Sequence, residues 1–195
     1  MTPERKEKLW KVIRKRQKNL AVVLENIQDP HNIFACLRSC DAVGVNNIYI
    51  IHPTFNIADL STMGKRSSAG AKKWLNIHVF REVVPAFAAI RQHIERIYTT
   101  NITENAVSLY QLNLAKSIAL VFGNERVGVS DEACQLADGN FVIPQAGMIQ
   151  SLNISVACAV SLYEAYRQRN EKGMYQESSY SPQELQSMFL DWKQR

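Results

Sequence analysis

Three polar clusters in this chain sit just beyond apolar runs, at the spacing that could place chemistry at strand ends. The first is Asn32 with Arg38, reached from the apolar run 20–24 through the loop Glu25-Asn26-Ile27-Gln28-Asp29-Pro30-His31. The second is Gly123-Asn124-Glu125, directly after the run 117–122. The third is Gln150-Ser151 with Asn153, after Phe141-Val142-Ile143 and a loop opened by Pro144. Open α/β sheets bind ligands where loops leave the carboxyl ends of strands. Helix starts add unpaired backbone N–H groups and the positive end of a dipole. Gly123 lets a ligand approach the backbone closely. Glu125 suits a substrate-orienting carboxylate or one half of an ion pair. Arg38 suits a cation aimed at phosphate or at a reacting hydroxyl, or a plain surface arginine. Asn32 and Ser151 suit helix N-caps as well as ligand contacts, and Asn153 suits a first-turn polar residue. On the residues alone, both readings of each stand.

The elements that must position these clusters read as alternating strands and helices. A helix is expected over 3–18, capped by Thr2, with Pro3 in its first turn and a narrow apolar seam at Leu9, Trp10 and Ile13. A strand over 20–24, a helix over 33–43 ended by Gly44, and a strand over 47–51 stopped by Pro53 make a βαβ unit with parallel pairing. Residues 54–73 are small and polar, and Lys65, Arg66, Lys72 and Lys73 give them a phosphate-contacting pattern. Strands follow over 74–80 and 96–100, with a helix over 83–94 between them and a short turn element at 110–112. The run 117–122 has the continuous apolar character of a buried parallel strand. Ser130 caps a helix over 131–136, and 138–140 reads as a turn. The segment 141–169 is strand, loop and helix, with Ser151 opening a helix that turns basic at Arg167 and Arg169. After a polar linker, Ser181-Pro182-Gln183-Glu184 carries a capping box. Leu185, Met188, Phe189 and Trp192 then form one apolar helix face, to be buried on the core or on a partner subunit.

Charge is confined to one arm. The chain of 195 residues carries a net charge of +5. Residues 1–20 hold eight basic residues against Glu4 and Glu7, a local +6, which leaves the other 175 residues at −1. Such an arm suits a polyanion such as nucleic acid, or a solvated helix face. Function classes drop out by motif. There is no GxxxxGK[ST] phosphate loop and no GxGxxG after a strand, and the histidines at 31, 52, 78 and 93 are scattered away from any Ser-His-Asp pattern. Cys36, Cys40, Cys134 and Cys158 include no CxxC pair, so no metal is expected and buried reduced thiols are. No apolar run reaches the roughly 18–20 residues of a membrane helix. No membrane partner is expected, and the location expected is cytoplasmic.

Three stretches go further. PHNIFACLRSCDAVGV (30–45), LVFGNERVGVS (120–130) and IPQAGMIQSLNISVACAVSLYEAYRQR (143–169) resemble, in order, the three signature motifs of the SPOUT superfamily. Within it they are similar to the TrmH-type RNA ribose 2′-O-methyltransferases, over about residues 20–175. The resemblance implies an α/β fold, a parallel sheet flanked by helices with a deep trefoil knot at about 118–165. The knotted core would span 20–170, with helical extensions at 1–19 and 171–195. It implies S-adenosylmethionine as methyl donor, an obligate homodimer and an RNA substrate. The terminal extensions favour the branch that methylates guanosine 18 in the D-loop of tRNA. Methylation of another RNA, a ribosomal loop or the tRNA wobble position, is the alternative, and a non-catalytic RNA-binding or assembly factor is a third. By motif position, Arg38, Asn32, Glu125, Ser151 and Asn153 are implied as catalytic. Thr100, Gly123, Asn124, Ile143, Met148 and Leu152 are implied around the cofactor. Lys8, Lys11, Arg14, Lys15, Arg16, Lys65 and Arg66 are the residues expected to face RNA. Gln145 departs from the family, which commonly has an apolar residue there beside the cofactor. A guanidinium stays protonated at neutral pH, so Arg38 is expected to work with a substrate phosphate. Removal of residues 1–18 is expected to flatten the salt dependence of RNA binding.

Overall fold

Buried parallel strands are read from continuous apolar runs, and the two longest runs are central in the structure. A computed structural model describes residues 1–54, 70–103, 105–149 and 151–195. Among them are seven strands, β1 (Gln17–Glu25), β2 (Val45–Ile51), β3 (Asn76–Phe80), β4 (Arg96–Thr100), β5 (Val107–Ser108), β6 (Ile118–Phe122) and β7 (Gly139–Val142). They form one parallel sheet in the order β3-β2-β1-β6-β4-β7-β5. β1 pairs with β2 on one side and β6 on the other, Val22 standing opposite Ile48 and Leu120. All five residues of β6 are buried.

Alternation along the strands sends side chains to two separate cores. Leu20, Val22, Leu24, Leu120 and Phe122 meet α2 (Pro30–Ala42) through Ile33, Phe34 and Leu37, and α5 (Ile154–Glu171) through Cys158 and Leu162. Ala21, Val23, Ala119 and Val121 meet α3 (Val83–Arg91) through Val83, Ala86, Phe87 and Ile90, and α4 (Asp131–Leu136) through Ala133. The terminal helices make a third cluster. Leu9 and Ile13 of α1 (Pro3–Ile13) pack on Phe189 and Trp192 of α6 (Pro182–Gln194), and Trp10 stacks on Phe189 at 4.6 Å. Burying such side chains contributes about 1.5–3 kcal/mol each. The capping box at Ser181 and Glu184 forms as its spacing requires.

The first helix is shorter than its charge pattern implies, and the reason is tertiary. It stops at Ile13, and the chain turns through Arg14 and Lys15 so that β1 starts at Gln17. Gln17 Nε2 donates to the carbonyls of Lys15 (3.1 Å) and Met174 (3.2 Å), tying the turn to the segment after α5. Arg16, expected to face RNA, is fully buried. It pairs with Asp41, donates to the Val45 carbonyl at 3.0 Å and lies over the Trp192 ring at 4.9 Å. Other bounds shift modestly. Trp74 belongs to a 3₁₀ turn (Ala71–Trp74) ahead of β3, and α3 ends at Arg91. Gly139 starts β7 where a turn was expected, because its backbone pairs with Tyr98. The two-residue β5 is too short to show a period.

The basic end of α5 is built into the sheet. Arg169 is fully buried and has no carboxylate partner among the described residues. Its guanidinium donates to the carbonyls of Leu114 (2.8 Å), Lys116 (2.7 Å) and Asn19 (3.1 Å) and to the Asn19 Oδ1 (2.6 Å) and Gln17 Oε1 (3.1 Å). Burial pushes its pKa down to about 10. One side chain thus fastens the helix to the amino ends of β1 and β6. No helix among the described residues is long and apolar enough to cross a membrane.

Candidate active site

With every strand parallel, the carboxyl ends of β1, β6, β4 and β7 lie side by side at one edge of the sheet. The β1–α2, β6–α4 and β7–α5 loops leave from that edge, and they carry the three polar clusters. A hydrogen-bonded chain joins them. Asn32 Nδ2 donates to Glu125 Oε1 at 2.9 Å, and Asn153 Nδ2 donates to Asn32 Oδ1 at 3.2 Å. The Gln28 N–H points at Glu125 Oε2 from 3.5 Å. Residues from three distant parts of the chain therefore meet through one asparagine.

Each member is placed by local chemistry. Asp29 caps α2, its Oδ1 accepting the His31 N–H at 2.8 Å, and Pro30 fills the first helical position. Asn32 is therefore released from the capping role open to it in the sequence and lies in the first turn. Asn153, and not Ser151, caps α5: its Oδ1 accepts the Ser155 N–H at 2.9 Å, and the helix begins at Ile154. Ser151 is exposed and makes no hydrogen bond among the described residues. Asn124 ties the β6 loop together. Its N–H and carbonyl exchange hydrogen bonds with Gly128, each at 2.9 Å, and its Oδ1 accepts the N–H groups of Arg126 (2.8 Å) and Val127 (3.2 Å). The loop folds back so tightly that a Cβ on Gly123 would lie 2.2 Å from the Val129 nitrogen. Glycine is required there for close approach of its own chain.

Arg38 stands apart from this chain. It is exposed and makes no hydrogen bond or ion pair among the described residues. Six residues beyond Asn32, it lies about 9 Å along the helix and about 120° around it.

The residues implied around the cofactor occupy the adjacent strand ends. Thr100 closes β4, its hydroxyl donating to the Val121 carbonyl at 3.1 Å. Ile143, half-buried, follows β7. Met148 is 99% exposed, Ile149 73% and Leu152 37%, so three apolar side chains from one loop face outward. Gln145 is exposed in the same loop. An adenosine needs apolar faces with backbone polar groups beside them, and this edge offers both.

Lys8, Lys11, Arg14 and Lys15 are exposed at and just beyond α1, and the Arg14 guanidinium lies 5.6 Å over the Trp10 ring. Lys65 and Arg66 lie outside the described residues. Cys36, Cys40 and Cys158 are buried between α2 and α5. A hydrogen bond with the Cys158 thiol, then burial, pushes the Cys36 thiol well above the usual range, so it is no nucleophile. No group of three or more His, Cys, Asp or Glu converges on a metal-sized site among the described residues.

Glu25, Asn26 and His52 also reach this edge, and no motif pointed to them. The Asn26 carbonyl accepts from Asn124 Nδ2 at 2.8 Å, and His52 Nε2 lies 3.5 Å from Gln28 Nε2. Burial lowers the pKa of His52. The signal available for the first two was a Glu-Asn pair immediately after an apolar strand.

The SpoU rRNA Methylase family model matches residues 19–163. This chain belongs to that family. Among its SpoU relatives, the tRNA (guanosine(18)-2′-O)-methyltransferase of Thermus thermophilus is 39% identical, over 98% of this chain and 96% of the relative. The enzyme of the same name from Escherichia coli K12 is 34% identical, over 97% of this chain and 82% of its own length. The crystal structure of the Aquifex aeolicus TrmH/SpoU tRNA modifying enzyme superposes with a TM-score of 0.84 and 37% identity, covering 97% of this chain and 94% of that one. The SpoU methyltransferase AviRb from Streptomyces viridochromogenes, in complex with AdoMet, superposes with a TM-score of 0.71 and 26% identity, over 82% of this chain and 64% of that one. The parallel seven-stranded sheet with flanking helices is thus the fold of the SpoU methylases.

Proposed function

We propose that this SpoU-family protein is a tRNA (guanosine(18)-2′-O)-methyltransferase. It methylates the ribose 2′-hydroxyl of guanosine 18 with S-adenosylmethionine as methyl donor. The observation that carries the reading is the convergence of Asn32, Glu125 and Asn153 at one sheet edge, in a chain matched almost end to end by enzymes of that activity. Relatives matched over less of the chain, such as the 23S rRNA (guanosine-2′-O-)-methyltransferase of Xanthomonas axonopodis, cover 77% of this chain. That difference favours the tRNA target over a ribosomal one.

S-adenosylmethionine supplies an electrophilic methyl group on sulfur when bound. The Met148, Leu152 and Ile143 side chains would wall its adenosine, beside the backbone around Thr100 and Gly123. Asn124 would hold the shape of the loop that borders it. The protein's remaining task is to hold and activate a poor nucleophile, the ribose hydroxyl. Arg38 is the residue for that step. Its guanidinium, with a substrate phosphate, stabilises the developing alkoxide or relays its proton. Asn32 ties the first turn of the helix that carries Arg38 to Glu125 and Asn153, and Ser151 contributes an exposed hydroxyl beside Asn153.

The strand order, with β4 between β6 and β7, supports a trefoil knot in this half of the sheet. A homodimer is the proposed working state. On α5, Val156 and Tyr163 are 46% and 56% exposed, one heptad apart on one face. Apolar side chains on one helix face suit a partner helix. The separation of Arg38 from the Asn32 chain is also what a site completed across two subunits would require.

The test is methyl transfer from radiolabelled S-adenosylmethionine to an unmodified tRNA transcript, with nuclease mapping of the product. Label in 2′-O-methylguanosine at position 18 is expected. Label confined to the anticodon loop, or to a ribosomal fragment offered in competition, would overturn the assignment.

A further inference from the structure

We infer that Glu25, the last residue of β1, is a positioning residue of this site: with Asn26 it clamps both ends of the 123–130 loop and so holds Glu125 within reach of Asn32. The inference rests on the reading of this edge as a methyltransferase centre.

Glu25 is 5% exposed and has no cation partner among the described residues. Its Oε2 accepts the Ser130 N–H at 3.0 Å, and its Oε1 accepts the Ser130 hydroxyl at 2.5 Å. Ser130 Oγ in turn accepts the Ala133 N–H at 3.2 Å, so the carboxylate is fastened to the first turn of α4. A buried carboxylate without a counter-ion persists only where hydrogen bonds hold it. The next residue holds the other end of the loop. Asn26 takes a left-handed backbone (φ 53°), a conformation that asparagine tolerates better than most residues. Its N–H donates to the Ile51 carbonyl at 2.7 Å, and its own carbonyl accepts Asn124 Nδ2 at 2.8 Å.

Between these two anchors the loop is closed on itself by the Asn124–Gly128 pair. It can therefore be tilted as a body but not easily bent. Glu125 sits near its tip, and its close contact is the 2.9 Å bond from Asn32. A small tilt at the Ser130 end moves that carboxylate away from Asn32 and so detaches it from the chain that runs on to Asn153. Capping of α4 alone would need only the Ser130 hydroxyl. The additional grip on the Ser130 N–H points to control of the loop.

The test uses the full chain, with Glu25→Gln made alone and in the Glu125→Gln background. Three quantities are read: kcat and KM for methyl transfer, the melting temperature, and amide hydrogen exchange over 123–130. In the wild-type background kcat should fall by about tenfold to 100-fold with KM little changed, the range expected of a displaced catalytic group. Exchange at Gly128 and Ser130 should quicken. In the Glu125→Gln background the same substitution should cost less than about threefold, because the carboxylate it would displace is already gone. Glu25→Asp should recover less than half of the wild-type kcat, its carboxylate being one methylene short of Ser130. A full, additive loss in the Glu125→Gln background would overturn the inference, as would unchanged kcat alongside faster exchange. If Glu25→Gln does not fold, Ser130→Ala, which keeps the backbone N–H, runs the same comparison. If the wild-type chain transfers no methyl group, the enzymatic reading fails on its own. Unchanged exchange over 123–130 in Glu25→Gln would then overturn the clamp independently.

Discussion

Asn32 is the hub of the site because an amide side chain can donate and accept at once. Its Nδ2 serves Glu125 and its Oδ1 serves Asn153. A carboxylate of that size accepts only and could not hold both partners in these roles. Arg38 is the opposite case, a cation without a protein partner among the described residues and so open to a phosphate. Arg38→Ala should lower methyl transfer by more than about 100-fold, the cost of removing a donor to the charge that develops in the transition state. Binding of S-adenosylmethionine, followed by calorimetry, should stay within about twofold, since among the described residues Arg38 makes no hydrogen bond to the loops that would wall the adenosine. Substantial activity in Arg38→Ala would remove it from the mechanism. At this scale Asn32, Glu125 and Asn153 were legible in the sequence as polar residues past apolar runs. Their mutual contact was not, because it joins positions about a hundred residues apart. Arg16 was misleading for a related reason. Charge predicts exposure only until an acid and an aromatic ring, here Asp41 and Trp192, enclose the guanidinium.

The terminal helices show what an element can and cannot reveal on its own. The capping box of α6 and its apolar face were both readable, and the partner of that face is α1 of the same chain. The end of α1 was not readable. Gln17 and Arg16 are drawn inward by contacts with Met174 and Asp41, which no helical period encodes. This changes how the basic arm should be tested. Deleting residues 1–18 would remove part of β1 and the buried Arg16, and would unfold what it was meant to probe. Substituting alanine at Lys8, Lys11, Arg14 and Lys15, all exposed, leaves the packing intact. The slope of log K against log salt for tRNA binding should then flatten by about 0.7–0.9 for each phosphate no longer neutralised. An unchanged slope would make these residues a solvated face only. The linker before α6 adds a pH dependence. The Tyr175 hydroxyl donates to the Val43 carbonyl at 2.7 Å, and burial pushes its pKa up to about 12. Tyrosine in an unfolded chain titrates near pH 10. The stability from keeping Tyr175 neutral is therefore complete below about pH 10 and is lost as pH rises to about 12. Thermal melts across that window should show the fall, and Tyr175→Phe should flatten it. Equal slopes in the two proteins would place the alkaline loss elsewhere.

At the scale of the whole molecule, the parallel sheet followed from apolar runs alternating with helical patterns, and β6 was legible as a buried strand of it. The position of β4 between β6 and β7 was not, since strand order depends on crossovers that leave no local mark. Association is argued at this scale too. Tyr163→Asp on α5 would place a charge on the exposed stripe with Val156. Sedimentation should then show a monomer, and methyl transfer should fall with it if each site is completed by its partner. A stable dimer in this variant would move the interface to another face. The central claim remains the identity of the accepting atom. It is tested most directly by a tRNA transcript carrying 2′-deoxyguanosine at position 18, compared with the all-ribose transcript under identical conditions. Loss of methyl transfer to the deoxy transcript is the expected result, with tRNA binding retained. Undiminished transfer would contradict the assignment.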